Sequence, residues 1–310
     1  MAYENYIPTI ETKKMLKERD KHLVFVANTT REWEGEIKSR GDHIKINGIG
    51  SPTVWTLRKD GTYEANQALT AEGKPGTTRA AGSGKDVIHR GIPDWEEVET
   101  YSIQLPVNQE AVWNYGVGDL DQQMMTEKGM VAKLRSKHAV KLADIQDRYV
   151  AKLMANFTPA AYSPDVVTVT SEKTPESGKN ILKLINDMVR RLHKNNVLDS
   201  EQLYCECSPD FWMVLKDAYT ALDTNNSELL ANRGFGKYNG IIFNRTNNAI
   251  VDGQDYIYLH TKSAVAFFDP ITKNEAYRPQ NGFADCVKGF SWFDAGIVDK
   301  NALLVAKVTY

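Results

Sequence analysis

The sequence predicts an α+β chain. Three observations carry that expectation. A run without proline keeps helical periodicity over residues 119–157. Strand-patterned segments bracket a long polar excursion ahead of it, and a compact mixture of helices and strands follows it. At 310 residues, 42% hydrophobic and 25% charged, the chain is long enough to bury a sizeable core.

Residues 1–30 are polar with scattered aliphatics, and "IETKKMLKERD" predicts a short helix. The segment reads as an arm that needs a partner surface. In residues 33–49, Ile37, Ile44 and Ile46 are spaced for strands around Ser39-Arg40-Gly41-Asp42, which is hairpin chemistry. Residues 69–98, "LTAEGKPGTTRAAGSGKDVIHRGIPDWEEV", then carry almost no apolar periodicity. A loop that long inside a domain is either disordered or built to reach something. Strand patterns resume at "VETYSIQLPVNQEAVWNYGV", so the loop is the tip of a β-excursion.

The period changes at Asp119. Leu120, Met124, Val131, Leu134, His138, Leu142, Ile145, Tyr149 and Leu153 form an apolar stripe at three- and four-residue steps. At 1.5 Å per residue such a helix would reach roughly 55–60 Å, a spine rather than a core element. Lys128, Lys133, Arg135, Lys137 and Lys141 form a basic cluster in its first half. A solvated face is its simplest reading, and contact with an enclosed nucleic acid is the second. His138 lies on the apolar stripe and reads as a packed histidine.

Beyond it, "KNILKLINDMVRRLHKNN" predicts an amphipathic helix with Ile181, Leu184, Ile185, Met188 and Leu192 inward. "LYCECS" predicts a strand with Cys205 and Cys207 on one side, both as core packing. Ser208-Pro209 opens the next helix as N-cap and first helical residue. "NGIIFNRTN" and "QDYIYLHT" predict strands, "KSAVAFFDP" a short helix stopped by proline, and residues 274–310 a strand-rich close.

The chemistry-bearing patterns are weak. "GTTRAAGSGKDVI" resembles a phosphate loop, but Arg79 stands where the first glycine belongs and Asp86 replaces the hydroxyl residue that holds magnesium. Six histidines show no metal-ligand spacing, and three cysteines make neither a disulfide framework nor a catalytic signature. The expectation is a non-enzyme with no cofactor and no metal. A net charge of −2 argues against a dedicated nucleic-acid binder but says nothing of a local basic face. There is no apolar run near eighteen residues and no signal-peptide core at the start, which predicts cytoplasmic synthesis without a membrane.

Four segments in this order are similar to the tailed-bacteriophage (Caudovirales) major capsid proteins of the HK97-like fold. They are "VANTTREWEGEIKSRGDHIKINGIGSPTVWTL", "YSIQLPVNQEAVWNYGVGDLDQQ" leading into a long helix, "LINDMVRRLHKNNVLDSEQLYCECSPDFWMVL" and "NEAYRPQNGFADCVKGFSWFDAGIVDKNALLVAKV". The resemblance implies an N-terminal arm at residues 1–30 and P-domain strands at 33–49. It implies an extended β-hairpin, the E-loop, at 50–105, and P domain at 106–159 with a spine helix at 119–157. An α/β A domain at 160–268 and closing P-domain strands at 269–310 complete the assignment. It makes Trp55, Lys59, Lys74, Lys85 and Trp95 candidates for contacts between subunits, and the basic cluster of the spine a candidate interior face, though the sequence does not say which face that cluster presents. Some members of the family join an E-loop lysine to a neighbour's asparagine, and nothing in this sequence fixes such a partner.

The function implied is self-assembly into the hexamers and pentamers of an icosahedral phage head around double-stranded DNA, in the host bacterial cytoplasm. A scaffolding protein, a portal and a decoration protein are its expected partners. Because the chain starts almost at the arm, scaffolding by a separate protein or by none is expected. Two alternatives stand beside this reading: an encapsulin-like compartment enclosing protein cargo, and a nucleotide-dependent enzyme using residues 82–86.

Overall fold

The computed structural model describes residues 8–32, 43–49, 55–57, 63–65, 78–79, 100–118, 130–157, 166–197, 200–220, 237–238 and 240–310. The chain divides into two compact units, Met1–Ile44 with Leu105–Tyr310, and Lys45–Gln104.

In the smaller unit, strands β1 (His43–Ile49) and β5 (Thr100–Pro106) pair with each other. Between them in sequence β2 (Trp55–Leu57), β3 (Tyr63–Ala65) and β4 (Thr78–Arg79) form a small antiparallel sheet. The polar segment 69–98 falls within this unit's residue range and, apart from Thr78–Arg79, lies outside the described residues.

The larger unit begins with α1 (Pro8–Asp20), which has proline at its first position, where the missing N–H costs nothing. Strand β6 (Gln109–Gly118) leads toward the long helix α2 (Met130–Ala155). Then follow β7 (Val167–Thr170), β8 (Lys179–Asn180), α3 (Ile181–Lys194), β9 (Leu203–Cys207) and α4 (Pro209–Thr220). Strands β10 (Lys237–Tyr238), β11 (Ile241–Arg245), β12 (Ile250–Val251), β13 (Gln254–Thr261), β14 (Val265–Tyr277), β15 (Ala284–Ile297) and β16 (Leu303–Thr309) complete it.

An eight-stranded sheet runs β10-β11-β9-β13-β16-β7-β8, with β12 beside β13. Both its faces are covered, which is why its central strands read as near-continuous apolar runs. Ile257 and Leu259 of β13 and Leu304, Ala306 and Val308 of β16 pack under α3 and α4 with Ile181, Leu184, Met188, Phe211 and Leu215. The intervening Tyr258, Leu303 and Val305 pack on the other face with Ala143, Val150 and Met154 of α2 and with Leu23, Phe25 and Val26. Cys205 and Cys207 point together into the first of these cores, as the strand period requires.

A second sheet, β14-β15-β6, lays one face on the α1–α2 pair. Four sequence expectations change here. "KSAVAFFDP" is not a helix: Lys262–Ala264 makes one 3-10 turn and Val265 opens a thirteen-residue strand. Val265 and Phe267 are buried on one face and Ala266 and Phe268 on the other, and Pro270 falls where the ladder register shifts between Phe268 and Ile271, a place that needs no donor. Strand β16, assigned with the closing P-domain strands, hydrogen-bonds between β13 and β7 inside the eight-stranded sheet.

The arm is not without a home on its own chain. Met15, Leu23, Phe25 and Val26 are buried, and Thr30 bridges to Ala266 at the edge of β14. The buried face of α2 is also rotated from the predicted stripe. Ile145 is 49% exposed while Gln146 and Asp147 are buried with Ala139, Ala143, Val150 and Ala151. Small residues let the sheet and arm approach closely, and Asp147 is needed there by the arm backbone. Of the predicted spine at 119–157, residues 130–155 are helix, and residues 119–129 lie outside the described residues. His138 packs as expected, stacked on Tyr115 with ring centroids 4.3 Å apart.

Candidate assembly surface

The period of two sorts the residues of β6, β14 and β15 onto two faces. Trp113, Gly289 and Asn274 stand side by side in register toward the helices, and the Trp113 indole N–H donates to Asn274 Oδ1 at 2.8 Å. Met15, Ala139 and Leu142 complete that packing with Ala111 and Trp113.

The opposite face carries Glu110, Val112 and Asn114 of β6, Lys288, Phe290 and Trp292 of β15, and Lys273, Glu275 and Tyr277 of β14. Val112 is 72% exposed in the middle of it. Phe290 and Trp292 lie 5.3 Å apart, centroid to centroid. Lys288 reaches Glu275 at 3.3 Å and sits 5.2 Å from the Tyr277 ring, while Asn114 donates to the Tyr277 hydroxyl at 2.8 Å. A groove of about 840 Å³ opens along this sheet and the start of α1, with Lys13, Val112 and Phe290 in its lining. At the β14–β15 turn, Phe283 is 86% exposed, and Arg278 and Asp285 meet at 3.0 Å beside it. The sheet order leaves β14 and β6 as outer strands. A face that mixes aromatic and paired charged side chains, with strand edges beside it, is suited to protein contact.

The second surface is the outer side of α2. Lys133, Lys137 and Lys141 are exposed at four-residue steps, and Arg148 and Lys152 continue the same side of the helix. Arg148 pairs with Asp144 at 3.2 Å and Lys152 with Asp252 at 4.0 Å, so among the described residues positive charge is least compensated near Lys137 and Lys141. Arg135 is half-buried and off this row, and Lys128 lies outside the described residues. The basic cluster read from the sequence omits Arg148 and Lys152, although their spacing from Lys141 would have found them.

Of the residues expected at contacts between subunits, Trp55 lies in β2 opposite Ala65. Lys59, Lys74, Lys85 and Trp95 fall outside the described residues, as does the phosphate-loop-like segment apart from Thr78–Arg79 in β4.

No family model matches the sequence, and no curated protein matches it. Solved structures do. A chain of Mycobacterium phage Che8 superimposes with a TM-score of 0.62 at 19% identity, over 92% of this chain and 90% of that one. A chain of the cyanophage P-SCSP1u capsid gives 0.62 at 13% identity, over 91% and 86%. A chain of a virus-like particle from Pyrococcus furiosus gives 0.52 at 10% identity, over 96% and 98%. At these identities the likeness is one of fold, and it spans nearly the full length of each chain.

Proposed function

With the HK97-like α+β fold as premise, we propose that this chain is a major capsid protein. It self-assembles into hexamers and pentamers of an icosahedral phage head that encloses double-stranded DNA. The observation that carries the reading is the superposition on a phage capsid chain over 91% of this sequence, which leaves little of the chain to serve another purpose. The separate unit Lys45–Gln104 supports it, since a small compact segment gains stability when a neighbouring subunit covers it. Scaffolding, portal and decoration proteins are its partners, and the virion its final location. The role is structural rather than catalytic. Among the described residues no helix is long and apolar enough to cross a membrane.

Sedimentation of the purified chain, alone and co-expressed with the scaffolding protein of its own phage, tests the proposal. Large discrete particles in either sample support it.

The likeness to the Pyrococcus furiosus virus-like particle favours a second reading, a protein-filled compartment, on a lower TM-score of 0.52. The exposed row of α2 separates the two. If Lys137 and Lys141 face packaged DNA, the double variant K137E/K141E should form normal shells that retain less nuclease-protected DNA. The salt dependence of DNA binding by the chain should fall by about two units of log–log slope, roughly 0.9 for each phosphate that is no longer neutralised. Wild-type DNA content in that variant would remove the α2 face from the interior.

A further inference from the structure

The segment that follows α1 is held by two buried acids from two different elements. Asp147 of α2 accepts the backbone N–H of Val24 at 2.7 Å and of Val26 at 3.1 Å. Glu206 of β9 accepts the Asn28 side-chain amide at 2.6 Å through Oε1 and meets His260 Nε2 of β13 at 2.8 Å through Oε2. The other ring nitrogen of His260 lies 2.8 Å from the Thr261 carbonyl oxygen. Glu206 and His260 are fully buried, and Asn28 is 9% exposed.

This geometry fixes a proton count. The Thr261 carbonyl can only accept, so Nδ1 carries a hydrogen. Nε2 and Oε2 then share one further proton, whichever of the two holds it. Without it, two lone pairs would face each other at 2.8 Å in a site closed to water. The Glu206 oxygens are also the acceptor that orients Asn28, so the seam and the arm segment share one carboxylate.

We propose that seating of residues 23–30 on α2 and the eight-stranded sheet is coupled to the proton held between Glu206 and His260, so that the segment is seated in acid and released as that proton leaves. The device is independent of the capsid reading, because it lies within one chain.

The surroundings agree in sign. Burial works against the His260 imidazolium, but the Glu206 carboxylate and the Thr261 carbonyl outweigh it, and the pKa is raised. A raised histidine gives the closed seam stability that is fully present below its ordinary value of 6.5 and lost as pH rises through the folded value, and residues 23–30 share that seam through the Asn28–Glu206 bond. Asp147 acts the same way at lower pH. Burial, against the opposing N–H bonds from Val24, Val26 and Phe25, pushes it from 3.8 up to about 6, so its cost to the seated state grows as pH rises through that window. The other titratable groups that feel Glu206 are Cys205 and Cys207 of β9 and Tyr258 of β13, all pushed up by burial and neutral throughout. From β16, apolar Leu303 stands opposite His260.

Hydrogen exchange of the full-length chain from pH 6.5 to 9 tests this, with rates corrected for the intrinsic pH dependence and the assembly state checked by sedimentation at each pH. Protection of the Val24, Val26 and Thr30 amides should fall by about tenfold per pH unit once the shared proton begins to leave. Amides of α3 should stay protected. In E206Q the amide can donate to neutral His260 and still accept from Asn28, so the profile should be flat. A flat wild-type profile, an E206Q profile parallel to wild type, or equal loss in α3 would each overturn the proposal. If E206Q does not fold, the wild-type contrast between residues 23–30 and α3 decides alone.

Discussion

Replacing Arg19 by methionine is expected to destabilise the chain by about 3–5 kcal/mol, the usual cost of leaving one partner of a buried ion pair alone. Arg19 on α1 bonds Asp269 on β14, and their side chains are 3% and 2% exposed. Asp269 also accepts the hydroxyls of Ser291 at 2.7 Å and Thr272 at 3.1 Å, so the carboxylate stays in place when the guanidinium is gone. Without Arg19 its charge stays buried, and α1 loses its ion pair to β14 while Met15 and the Glu18–Ser136 bond remain as inner anchors. The measurement is a denaturant titration of R19M beside the double variant R19M/D269N. The double variant should recover most of the loss, because no charge is left buried. An R19M midpoint equal to wild type would show that the pair does not hold the arm.

The second large effect lies at Gly289. A Cβ there would stand 2.4 Å from Asn274 Oδ1 and 2.5 Å from Cε2 and Cζ2 of Trp113. Those are the two side chains whose hydrogen bond spans β15 on the helix-facing side. Gly289→Val must therefore push the indole off the carboxamide. Overpacking costs about 1–3 kcal/mol and the broken bond about 1 kcal/mol, which together predict roughly 2–4 kcal/mol. Gly282→Ala is the control, since a Cβ there meets only Pro279 Cγ at 3.7 Å and should change stability by less than about 0.5 kcal/mol. Thermal unfolding of both variants, with tryptophan emission as the local probe, reads the difference.

These two sites show where sequence reading stops. The amphipathic α3, the strand with Cys205 and Cys207 on one side, and the proline-opened α4 are legible because each is decided by local period and capping. The arm reads as lacking a home because its anchor, Asp269, stands 250 residues from Arg19. Gln146 and Asp147 fall outside the predicted apolar stripe because nothing in a helical stripe announces an arm backbone in need of an acceptor. The strand at Val265 reads as a helix because a short apolar run fits both periods, and pairing with β15 decides between them. Nor does β16 carry a local signal for which of two sheets it joins. Its apolar run says only that both its faces are buried. Of the candidate contact residues, Lys133, Lys137 and Lys141 are legible as a row from spacing, whereas Arg135 falls off it through the 100° turn per residue.

The central claim, that this fold builds a shell, is tested most directly by electron microscopy of the full-length chain expressed alone and with the scaffolding protein of its phage. The account predicts uniform closed shells, or rings of five and six subunits, in at least one of the two preparations. Well-folded single chains in both, with no particle under any condition, would contradict it.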